Sequence, residues 1–494
     1  MTLERFRNVV AGRSCESATG RWLTTTNPFD GRDWAEVPQC GPEDCAAAIE
    51  AAHAAFVQGP WPALSATARG KLLRRLGDLI ARDAEKLAAL ETRDNGKLYA
   101  EMLGQLRYIP EWFTYYGGLA DKIEGGVLPN DKPDVFIYTK REPLGVIVCI
   151  TPWNSPLMLL TWKLAPALAA GNTVVVKPSE FTSCSTLALM DLVAEAGFPP
   201  GVVNTVTGFG SEVGAALVEH PLVAKVAFTG GDATGAAVYA AAAKGIKHVT
   251  LELGGKSPNI IFADANLDHA VKGAISGIFA ASGQTCIAGS RLLVQRSIYA
   301  EVSQRLVAFA TQAKLGDPMD PTTQVGPITT QPQRRKVLDY IEMAKDEGAH
   351  CLLGGGSPSA PDLAGGWFVE PTIFGDVSND MRIAREEVFG PVLSIIPFED
   401  DDHAAEIAND SIYGLAAGVW TTDIRRALTM ADRIRAGTVW VNTYRAVSFM
   451  APFGGYKRSG IGRENGQSAI DEYLQTKSVW INLAKDVPNP FVMR

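Results

Sequence analysis

The sequence predicts an α/β protein built on doubly wound parallel sheets, and two observations lead to this prediction. Between Gly145 and Gly254, short apolar runs rich in valine and isoleucine alternate with helical patterns. Such runs are typical of strands that helices bury on both faces of a parallel sheet. After Gly254 a second alternating series begins, so we expect a second α/β domain of comparable size.

The predicted elements are justified in chain order. Apolar residues at a period of about 3.6 predict long helices over 67–93 and 102–122. The second helix carries aromatic residues that fit either core packing or the wall of a substrate tunnel: Tyr108, Trp112, Phe113, Tyr115 and Tyr116. The first alternating series predicts strands at 145–151, 172–177, 202–207, 223–229 and 247–251, with helices at 156–169, 182–196, 211–219 and 234–244. The second series predicts helices at 269–281, 299–314 and 331–347, with strands at 292–295, 392–397 and 438–442.

Two segments fit neither series. Residues 134–141 (DVFIYTKR) alternate at period two, and residues 478–483 (SVWINL) have the pattern of a terminal strand. Their open edges can pair with each other or with another subunit. An oligomer is therefore favoured.

Composition excludes several classes of protein. The net charge of −8 argues against non-specific binding to nucleic acid or to an anionic membrane. The seven cysteines include no CxxC pair and the six histidines form no HExxH pattern, so we expect neither a disulfide framework nor a metal site. The N-terminus has no apolar signal core, and no apolar run approaches the roughly 18 residues that cross a bilayer. We expect a cytoplasmic protein.

A cysteine between two glycines is the first candidate for chemistry. Cys286 lies in GQTCIAGS, with Gly283 and Gly289 on either side. Glycines let a ligand approach the sulfur, and a cysteine becomes a nucleophile when a base or N–H donors favour its thiolate. On this motif alone, the more usual interpretation of Cys286 is a small buried hydrophobic residue.

An acidic residue at the end of an apolar strand is the second candidate. Glu252 lies in LELGGKSP, directly before the break at Gly254 and Gly255. Doubly wound sheets bind ligands at the carboxyl ends of their strands, and burial there raises a carboxyl pKa towards the range of a general base. The alternative is a glutamate that only caps the following turn.

An asparagine between two prolines is the third candidate. Asn154 lies in TPWNSP, where a strand gives way to a helix. A fixed amide NH₂ is a donor suited to an oxyanion hole. Asn154 and Ser155 equally fit the N-cap of the helix that begins at Pro156.

Two strand ends offer contacts to a nucleotide. Lys177 and Glu180, in KPSE, can hold ribose hydroxyls, and the turn FTGGDATG at 228–235 can present N–H groups to a pyrophosphate. No GxGxxG occurs, and residues 208–214 form only a GxGxxxG.

Taken together, these motifs resemble the aldehyde dehydrogenase superfamily over nearly the whole chain. In the family's order and spacing they are TPWNSP, VVVKPSE, FTGG, LELGGKSP, GQTCIAGS, REEVFGPV and PFGGYKRSGIGRENG. The resemblance implies a dinucleotide-binding domain over 1–122 and 145–254, a catalytic α/β domain over 255–455, and a small β oligomerisation arm over 123–144 and 472–494. It also implies NAD-dependent oxidation of a small-molecule aldehyde to a carboxylic acid, in a homodimer or homotetramer.

The resemblance further implies a role for each motif residue. Cys286 would be the nucleophile that forms a thiohemiacetal and then a thioester, and Glu252 the base that activates water. Asn154 and the Cys286 backbone N–H would form the oxyanion hole. Lys177 and Glu180 would contact the adenosine ribose, and Glu387 the nicotinamide ribose. The implied cofactor contacts are Thr151, Trp153, Lys177, Ser179, Glu180, Gly210, Phe228, Thr229, Gly230, Gly231, Gly235, Leu253, Gly254, Glu387 and Phe389.

Two positions bear on the cofactor. Gly231 stands where the family's turn FTGS commonly has a serine, so a hydroxyl contact to phosphate would be lost while the backbone N–H remains. Glu180 would repel a 2′-phosphate, which favours NAD over NADP.

The substrate pocket is mostly apolar by motif position, and the small Ser155 leaves room, which predicts a medium-sized or aromatic aldehyde. Arg445 could meet a carboxylate on a semialdehyde, or it could be a solvated or structural arginine. The implied pocket residues are Ser155, Leu159, Trp162, Thr285, Ile287, Arg445, Val447 and Phe453.

Three other functions fit parts of the sequence. A CoA-acylating aldehyde or semialdehyde dehydrogenase transfers its thioester to CoA and needs no water-activating base such as Glu252. A catalytically silent binding protein of the same fold has no need of Cys286, Glu252 and Asn154 together. A cysteine hydrolase needs a partner for its thiol, and no histidine lies near Cys286 or Glu252 in sequence.

Overall fold

A computed structural model describes residues 3–486 and 489–492 of the chain. Its α-helices are α1 (Pro42–Val57), α2 (Ala66–Arg82), α3 (Ala84–Asn95), α4 (Tyr99–Leu119), α5 (Pro156–Ala170), α6 (Cys184–Ala196), α7 (Ala215–Glu219), α8 (Asp232–Lys244), α9 (Leu267–Phe279), α10 (Tyr299–Ala310), α11 (Gln331–Asp346), α12 (Arg382–Arg385), α13 (Asp401–Asn409) and α14 (Ile424–Arg433). Its strands are β1 (Glu4–Arg5), β2 (Asn8–Val10), β3 (Arg13–Cys15), β4 (Trp22–Asn27), β5 (Arg32–Pro38), β6 (Val127–Leu128), β7 (Val135–Pro143), β8 (Val146–Ile150), β9 (Thr173–Lys177), β10 (Val203–Thr205), β11 (Val223–Thr229), β12 (His248–Glu252), β13 (Pro258–Ile261), β14 (Arg291–Gln295), β15 (His350–Leu353), β16 (Thr372–Gly375), β17 (Val392–Phe398), β18 (Tyr413–Gly414), β19 (Ala416–Trp420), β20 (Thr438–Val441), β21 (Tyr456–Lys457), β22 (Gly460–Ile461) and β23 (Leu474–Asn482).

Two large sheets organise these elements. The first has the order β10–β9–β8–β11–β12–β22, with only β22 antiparallel to its neighbour. The second has the order β15–β16–β17–β14–β13–β19–β20, with only β15 antiparallel. The predicted α/β fold with parallel, doubly wound sheets is therefore confirmed.

The strands predicted in the first alternating series are all present, and β8, β9 and β10 are buried throughout. The helix between β8 and β9, α5, is buried on nearly every side, which explains why its sequence is apolar without a polar face. The strands β13, β16 and β19 were not predicted. Each has only four or five residues.

The prediction of a single helix over 67–93 is wrong, because the helix is interrupted at Asp83. Asp83 leaves the helical conformation at φ −100° and ψ 14°, and it ends α2 and begins α3. Its side chain accepts hydrogen bonds from the adjacent Arg82 guanidinium. Aspartate has a low propensity for helix interiors and is favoured at helix caps.

The aromatic residues of α4 mainly form core. Trp112, Phe113 and Tyr116 are fully buried, and Trp112 stacks on Trp162 of α5 with ring centroids 6.3 Å apart. Tyr108 and Tyr115 are partly buried and pack around Phe449. This arrangement favours the core-packing interpretation for the buried residues.

The two segments outside the alternating series pair with each other. Strands β7 and β23 run antiparallel from the pair Val135 and Asn482 to the pair Pro143 and Leu474, and β6 flanks β7. The strand β22, beyond the predicted catalytic segment, returns to the edge of the first sheet beside β12. No helix in the described part of the chain is both long and apolar enough to cross a membrane.

Candidate active site

The carboxyl ends of the first sheet's strands define the position of the site. The strands β9, β8, β11 and β12 lie side by side and end at Lys177, Ile150, Thr229 and Glu252. The chain builds this sheet outward in one direction from β8 and in the other from β11, so the order reverses between them. Open α/β sheets bind ligands in the crevice at such a reversal.

A cavity of about 500 Å³ occupies this crevice. It contains a polar end, where Lys177 Nζ donates to Pro178 O at 2.9 Å and lies 3.6 Å from the Glu180 carboxylate. Burial lowers the pKa of Lys177, and Glu180 opposes that effect. The predicted cofactor residues that line this cavity are Thr151, Trp153, Lys177, Ser179, Glu180, Gly210, Phe228, Thr229, Gly230 and Gly231.

A second, inner cavity continues from the first. The two share Trp153 and the turn 229–231, and the inner one ends at Cys286. The predicted residues on its wall are Trp153, Asn154, Leu159, Thr229, Gly230, Gly231, Glu252, Leu253, Gly254, Cys286, Glu387 and Phe389. The motifs that lie far apart in sequence thus meet along one channel.

The loop before Cys286 has an unusual backbone. Ala281, Ser282 and Gly283 all have left-handed conformations, with φ of 54°, 51° and 68°. A Cβ on Gly283 would lie 2.0 Å from the carbonyl oxygen of Gly390, so the loop packs directly against the EEVFGPV segment. Such strain persists only where the surroundings enforce it, which is common at active sites.

Side-chain amides hold the Cys286 loop in place. Gln284 accepts from the Thr329 N–H at 2.9 Å and donates to Pro327 O at 3.3 Å. Asn154 Nδ2 donates to Gln284 O at 3.0 Å. The predicted oxyanion donor, Asn154, is therefore hydrogen-bonded to the loop that carries the predicted nucleophile, Cys286.

Burial disfavours ionisation of the Cys286 thiol. Burial raises its pKa to about 12, and the charges of Glu252 and Glu387 add to the effect, whereas Lys97 lowers it. Burial therefore disfavours the thiolate that the attack requires.

Glu252 lies in a buried position suited to a base. Neither carboxylate oxygen has a hydrogen-bond partner among the described residues. Burial raises its pKa well above the ordinary value, with a further contribution from Glu464. Lys163 Nζ donates to Glu464 at 2.5 Å and to Thr229 Oγ1 at 2.6 Å. A Cβ on Gly454 would come within 3.0 Å of Glu252 Oε1, so the glycine leaves room for the carboxylate.

Glu387 is oriented by the glycine pair that follows Glu252. The Gly255 N–H donates to Glu387 Oε1 at 2.9 Å. A Cβ on Gly254 would lie 2.5 Å from Glu387 Oε2, so only glycine admits this approach. Burial raises the Glu387 pKa, and the Gly255 bond opposes that rise.

Gln333 and Lys336 also line the inner cavity and were not predicted from the sequence. Gln333 Nε2 donates to Val388 O at 2.8 Å and to Phe389 O at 3.0 Å, and thereby holds Phe389 at a left-handed φ of 58°. Both missed residues lie in the polar first turns of α11. Nothing local distinguishes them from solvated surface residues.

Comparison with known proteins identifies the group to which this fold and site belong. The chain matches the aldehyde dehydrogenase family over residues 15–479. The chain belongs to this family. It is 49% identical over 471 residues to the mitochondrial aldehyde dehydrogenase of Sus scrofa, covering 95% of this chain and 89% of that protein. Betaine aldehyde dehydrogenase of Staphylococcus aureus, solved in complex with NAD+, has a TM-score of 0.97 at 42% identity, covering 99% of this chain and 97% of that one. The NAD+ complex of Bacillus cereus aldehyde dehydrogenase has a TM-score of 0.95 at 46% identity, covering 97% of each chain.

One predicted cofactor residue has a packing role instead of lining the cavities. A Cβ on Gly235 would lie 2.4 Å from Leu253 Cδ2. Gly235 therefore lets α8 approach the end of β12. This keeps the N-terminus of α8 at the crevice.

The predicted substrate residues differ in position. Leu159 lines the inner cavity. Trp162 and Phe453 are buried and pack edge to face, with ring centroids 5.1 Å apart. Val447 is exposed, and Arg445 is half-buried. The remaining ones either flank Cys286 or follow Asn154: Thr285, Ile287 and Ser155.

Proposed function

We propose that the chain is an NAD-dependent aldehyde dehydrogenase that hydrolyses its thioester to release a carboxylic acid. The observation that carries this proposal is the channel in which Cys286, Asn154 and Glu252 line one cavity beyond a dinucleotide-sized crevice. Hydrolysis is favoured over transfer to CoA because Glu252 lines the same cavity as Cys286, and neither of its oxygens is engaged by another described residue, so the carboxylate is available to activate water.

In the first step, the Cys286 thiol releases its proton to the solvent, and Sγ adds to the aldehyde carbon as the carbonyl π bond opens, which forms a thiohemiacetal alkoxide. The amide of Asn154 carries two N–H groups, and one of them already donates to Gln284 O. The second is free to donate to the developing alkoxide, together with the Cys286 backbone N–H. A donor fixed in this way lowers the barrier because it need not reorganise during reaction.

The residues of the crevice fit a dinucleotide. Lys177 and Glu180 offer a cation and an acceptor for ribose hydroxyls, and the N-terminus of α8 offers N–H groups for a pyrophosphate. Glu387 is oriented by Gly255 with its second oxygen available for a further ribose. NAD held there would supply the acceptor for a hydride from the thiohemiacetal carbon, and an acyl thioester would remain on Cys286.

In the last step, Glu252 removes a proton from water, which attacks the thioester carbon. The Asn154 and Cys286 donors stabilise the second oxyanion as they did the first. Collapse of that intermediate breaks the C–S bond, releases the carboxylic acid and restores the sulfur of Cys286. Glu252 passes its proton to the solvent.

We also propose the domain division and assembly that the sequence predicts. Residues 1–122 and 145–254 form the dinucleotide-binding domain, residues 255–455 the catalytic domain, and residues 123–144 and 472–494 the arm. The arm exposes Phe136 and Trp480, and such apolar surface supports contact with other copies in a homodimer or homotetramer. The unpaired state of all the cysteines supports a reducing compartment, the cytoplasm.

Cofactor choice tests the proposal. With an aldehyde panel and NAD we expect NADH formation, and with NADP a kcat/KM at least about tenfold lower, because Glu180 repels a 2′-phosphate. Glu180→Gln should reduce the ratio of kcat/KM with NAD to kcat/KM with NADP. Glu85→Gln, on an exposed glutamate of α3, should leave this ratio unchanged. Comparable kcat/KM with both cofactors would contradict the NAD preference. Acyl-CoA formation on addition of CoA would favour the CoA-acylating alternative.

The departure at Gly231 gives a second prediction. A Cβ at Gly231 meets no atom within 4 Å, and Gly231 is the N-cap of α8. Gly231→Ser should lower the Kd for NAD several-fold, because a hydroxyl adds one hydrogen bond to the phosphate and a better helix cap. Titration calorimetry measures the change. Gly231→Ala is the matched control, and equal Kd values for the two variants would rule out the hydroxyl contact.

A further inference from the structure

The two donors of the proposed oxyanion hole come from different sheets. Asn154 follows β8 of the first sheet, and Cys286 precedes β14 of the second. Two N–H groups stabilise one alkoxide only when both point at it, and a displacement of about 1 Å can cost about 100-fold in rate. The contacts that hold these two loops at a fixed distance therefore bear on the rate of the reaction.

The segment 91–101, which joins α3 to α4, contacts the loops of both donors, and we call it the bridging segment. Glu91 of this segment is fully buried. Its Oε1 accepts from the Leu157 N–H at 2.8 Å and from Ser185 Oγ at 3.2 Å, and its Oε2 has no partner among the described residues. Leu157 lies in the first turn of α5, where backbone N–H groups have no acceptor within the helix. Glu91 thus holds the beginning of α5 through one oxygen.

This contact takes the place of a local cap on α5. Ser155 is the N-cap residue, but its side chain accepts no hydrogen bond from the helix. The Ser155 hydroxyl accepts instead from Lys97 Nζ of the bridging segment, at 3.1 Å. Because Asn154 directly precedes Ser155, two buried side chains of the bridging segment hold the backbone next to the Asn154 amide.

The same segment holds the loop that leads to Cys286. Oε1 of the half-buried Glu101 accepts from the Ala281 N–H at 3.0 Å, and its Oε2 has no partner among the described residues. Ala281 has a left-handed φ of 54° and is the first residue of the strained stretch before Cys286. Glu101 therefore contacts this loop where its conformation is least favourable.

Backbone contacts bring the bridging segment against the catalytic half of the chain. Asn95 O accepts from Thr329 Oγ1 at 2.6 Å, and the Thr329 N–H donates to Gln284 Oε1 at 2.9 Å. A Cβ on Gly326 would lie 2.4 Å from the carbonyl oxygen of Gly96, so the two backbones touch. The bridging segment is thus connected to the residue that holds the Cys286 loop.

We infer that the bridging segment sets the spacing of the two oxyanion donors. Glu91 acts through the first turn of α5 on Asn154. Glu101 acts through Ala281 on the backbone of Cys286. Neither glutamate lines the crevice or the inner cavity, so both are positioning residues. The inference rests on the proposed function and adds to it the residues on which the oxyanion hole depends.

Replacing Glu91 with methionine removes the acceptor and keeps a side chain of similar length. With an aldehyde that the wild type oxidises, the rate of the NADH burst and the steady turnover should both fall about 10- to 100-fold, because both halves of the reaction use the oxyanion hole. The Kd for NAD, measured by calorimetry, should not change. Glu91→Gln should retain most of both rates, because an amide oxygen still accepts from the Leu157 N–H.

A double-mutant cycle with Asn154→Ala separates positioning from a general loss of stability. Asn154→Ala alone should cost about 10²- to 10³-fold in both rates. If Glu91 acts through that amide, adding Glu91→Met should cost less than about twofold more.

Asp94→Asn is the matched control for the cycle. Asp94 is also buried in α3, but its carboxylate accepts from the Cys184 N–H of α6 at 3.0 Å and from Thr25 Oγ1 at 2.7 Å. Since Asp94 does not contact α5 through these bonds, any loss that its variant causes should add to that of Asn154→Ala.

Additive losses for Glu91→Met and Asn154→Ala, wild-type rates in Glu91→Met, or a loss confined to the Kd for NAD would each overturn the inference and leave the proposed function intact. If Glu91→Met does not fold, Ser155→Ala removes the Lys97 contact to the same turn and is judged by the same cycle. If no aldehyde yields NADH with the wild type, the proposed function fails and the inference fails with it.

Discussion

Replacing Cys286 with alanine should reduce kcat/KM for aldehyde oxidation by about 10⁴-fold or more, the scale of losing a covalent nucleophile. No other described sulfur lines the inner cavity, so no second thiol can take over the attack. The substitution removes one atom from a fixed loop, and the hydrogen bonds of Gln284 and Asn154 remain. Steady-state NADH formation measures the loss, and calorimetric titration should show NAD binding unchanged.

The control for this experiment uses a thiol outside the site. Cys351 is exposed on the edge strand β15, and Cys351→Ala should retain full activity. Cys286→Ser retains a weaker nucleophile and should lie far closer to the alanine variant than to the wild type. Substantial turnover by Cys286→Ala would assign the attack to another group and remove the basis of the proposed mechanism.

The parts of the site that follow strands could be predicted from the sequence. Glu252, Thr229 and Lys177 each end an apolar run that is recognisable without a structure, and parallel strands bring such ends to one edge. The bounds of β11 were predicted to the residue, since its flanks carry clear turn signals. Local patterns suffice where the function lies at the end of a regular element.

Buried charged residues whose partners lie far away in the sequence could not be predicted in the same way. Lys163 and Glu464 are 301 residues apart, and Lys163 lies in a helix that otherwise reads as pure core. Lys97 lies in a polar turn that resembles a solvated loop. Their burial and their partners depend on distant segments of the chain, which periodicity does not report.

Replacing Glu252 with glutamine should separate the two halves of the reaction. We expect a rapid burst of about one NADH per active site, because the attack of Cys286 and the hydride transfer both precede the activation of water. Steady turnover should then fall by about 10²- to 10⁴-fold, the usual contribution of a general base. Stopped-flow absorbance at the NADH band resolves the two phases, and the acyl enzyme that accumulates can be detected by mass spectrometry.

The dependence of steady turnover on pH gives a further test of the role of Glu252. Glu252 acts as a base only when ionised, and its burial raises its pKa above the ordinary carboxyl value. Steady turnover of the wild type should therefore rise with pH through that raised pKa, and the glutamine variant should lose this dependence. Glu301→Gln, on an exposed residue of α10, should keep both rate and profile. Unimpaired steady turnover by Glu252→Gln would show that Glu252 is not the base that activates water. If the variant loses the NADH burst together with steady turnover, Glu252 also serves the first half of the reaction, for instance by taking the proton of the Cys286 thiol.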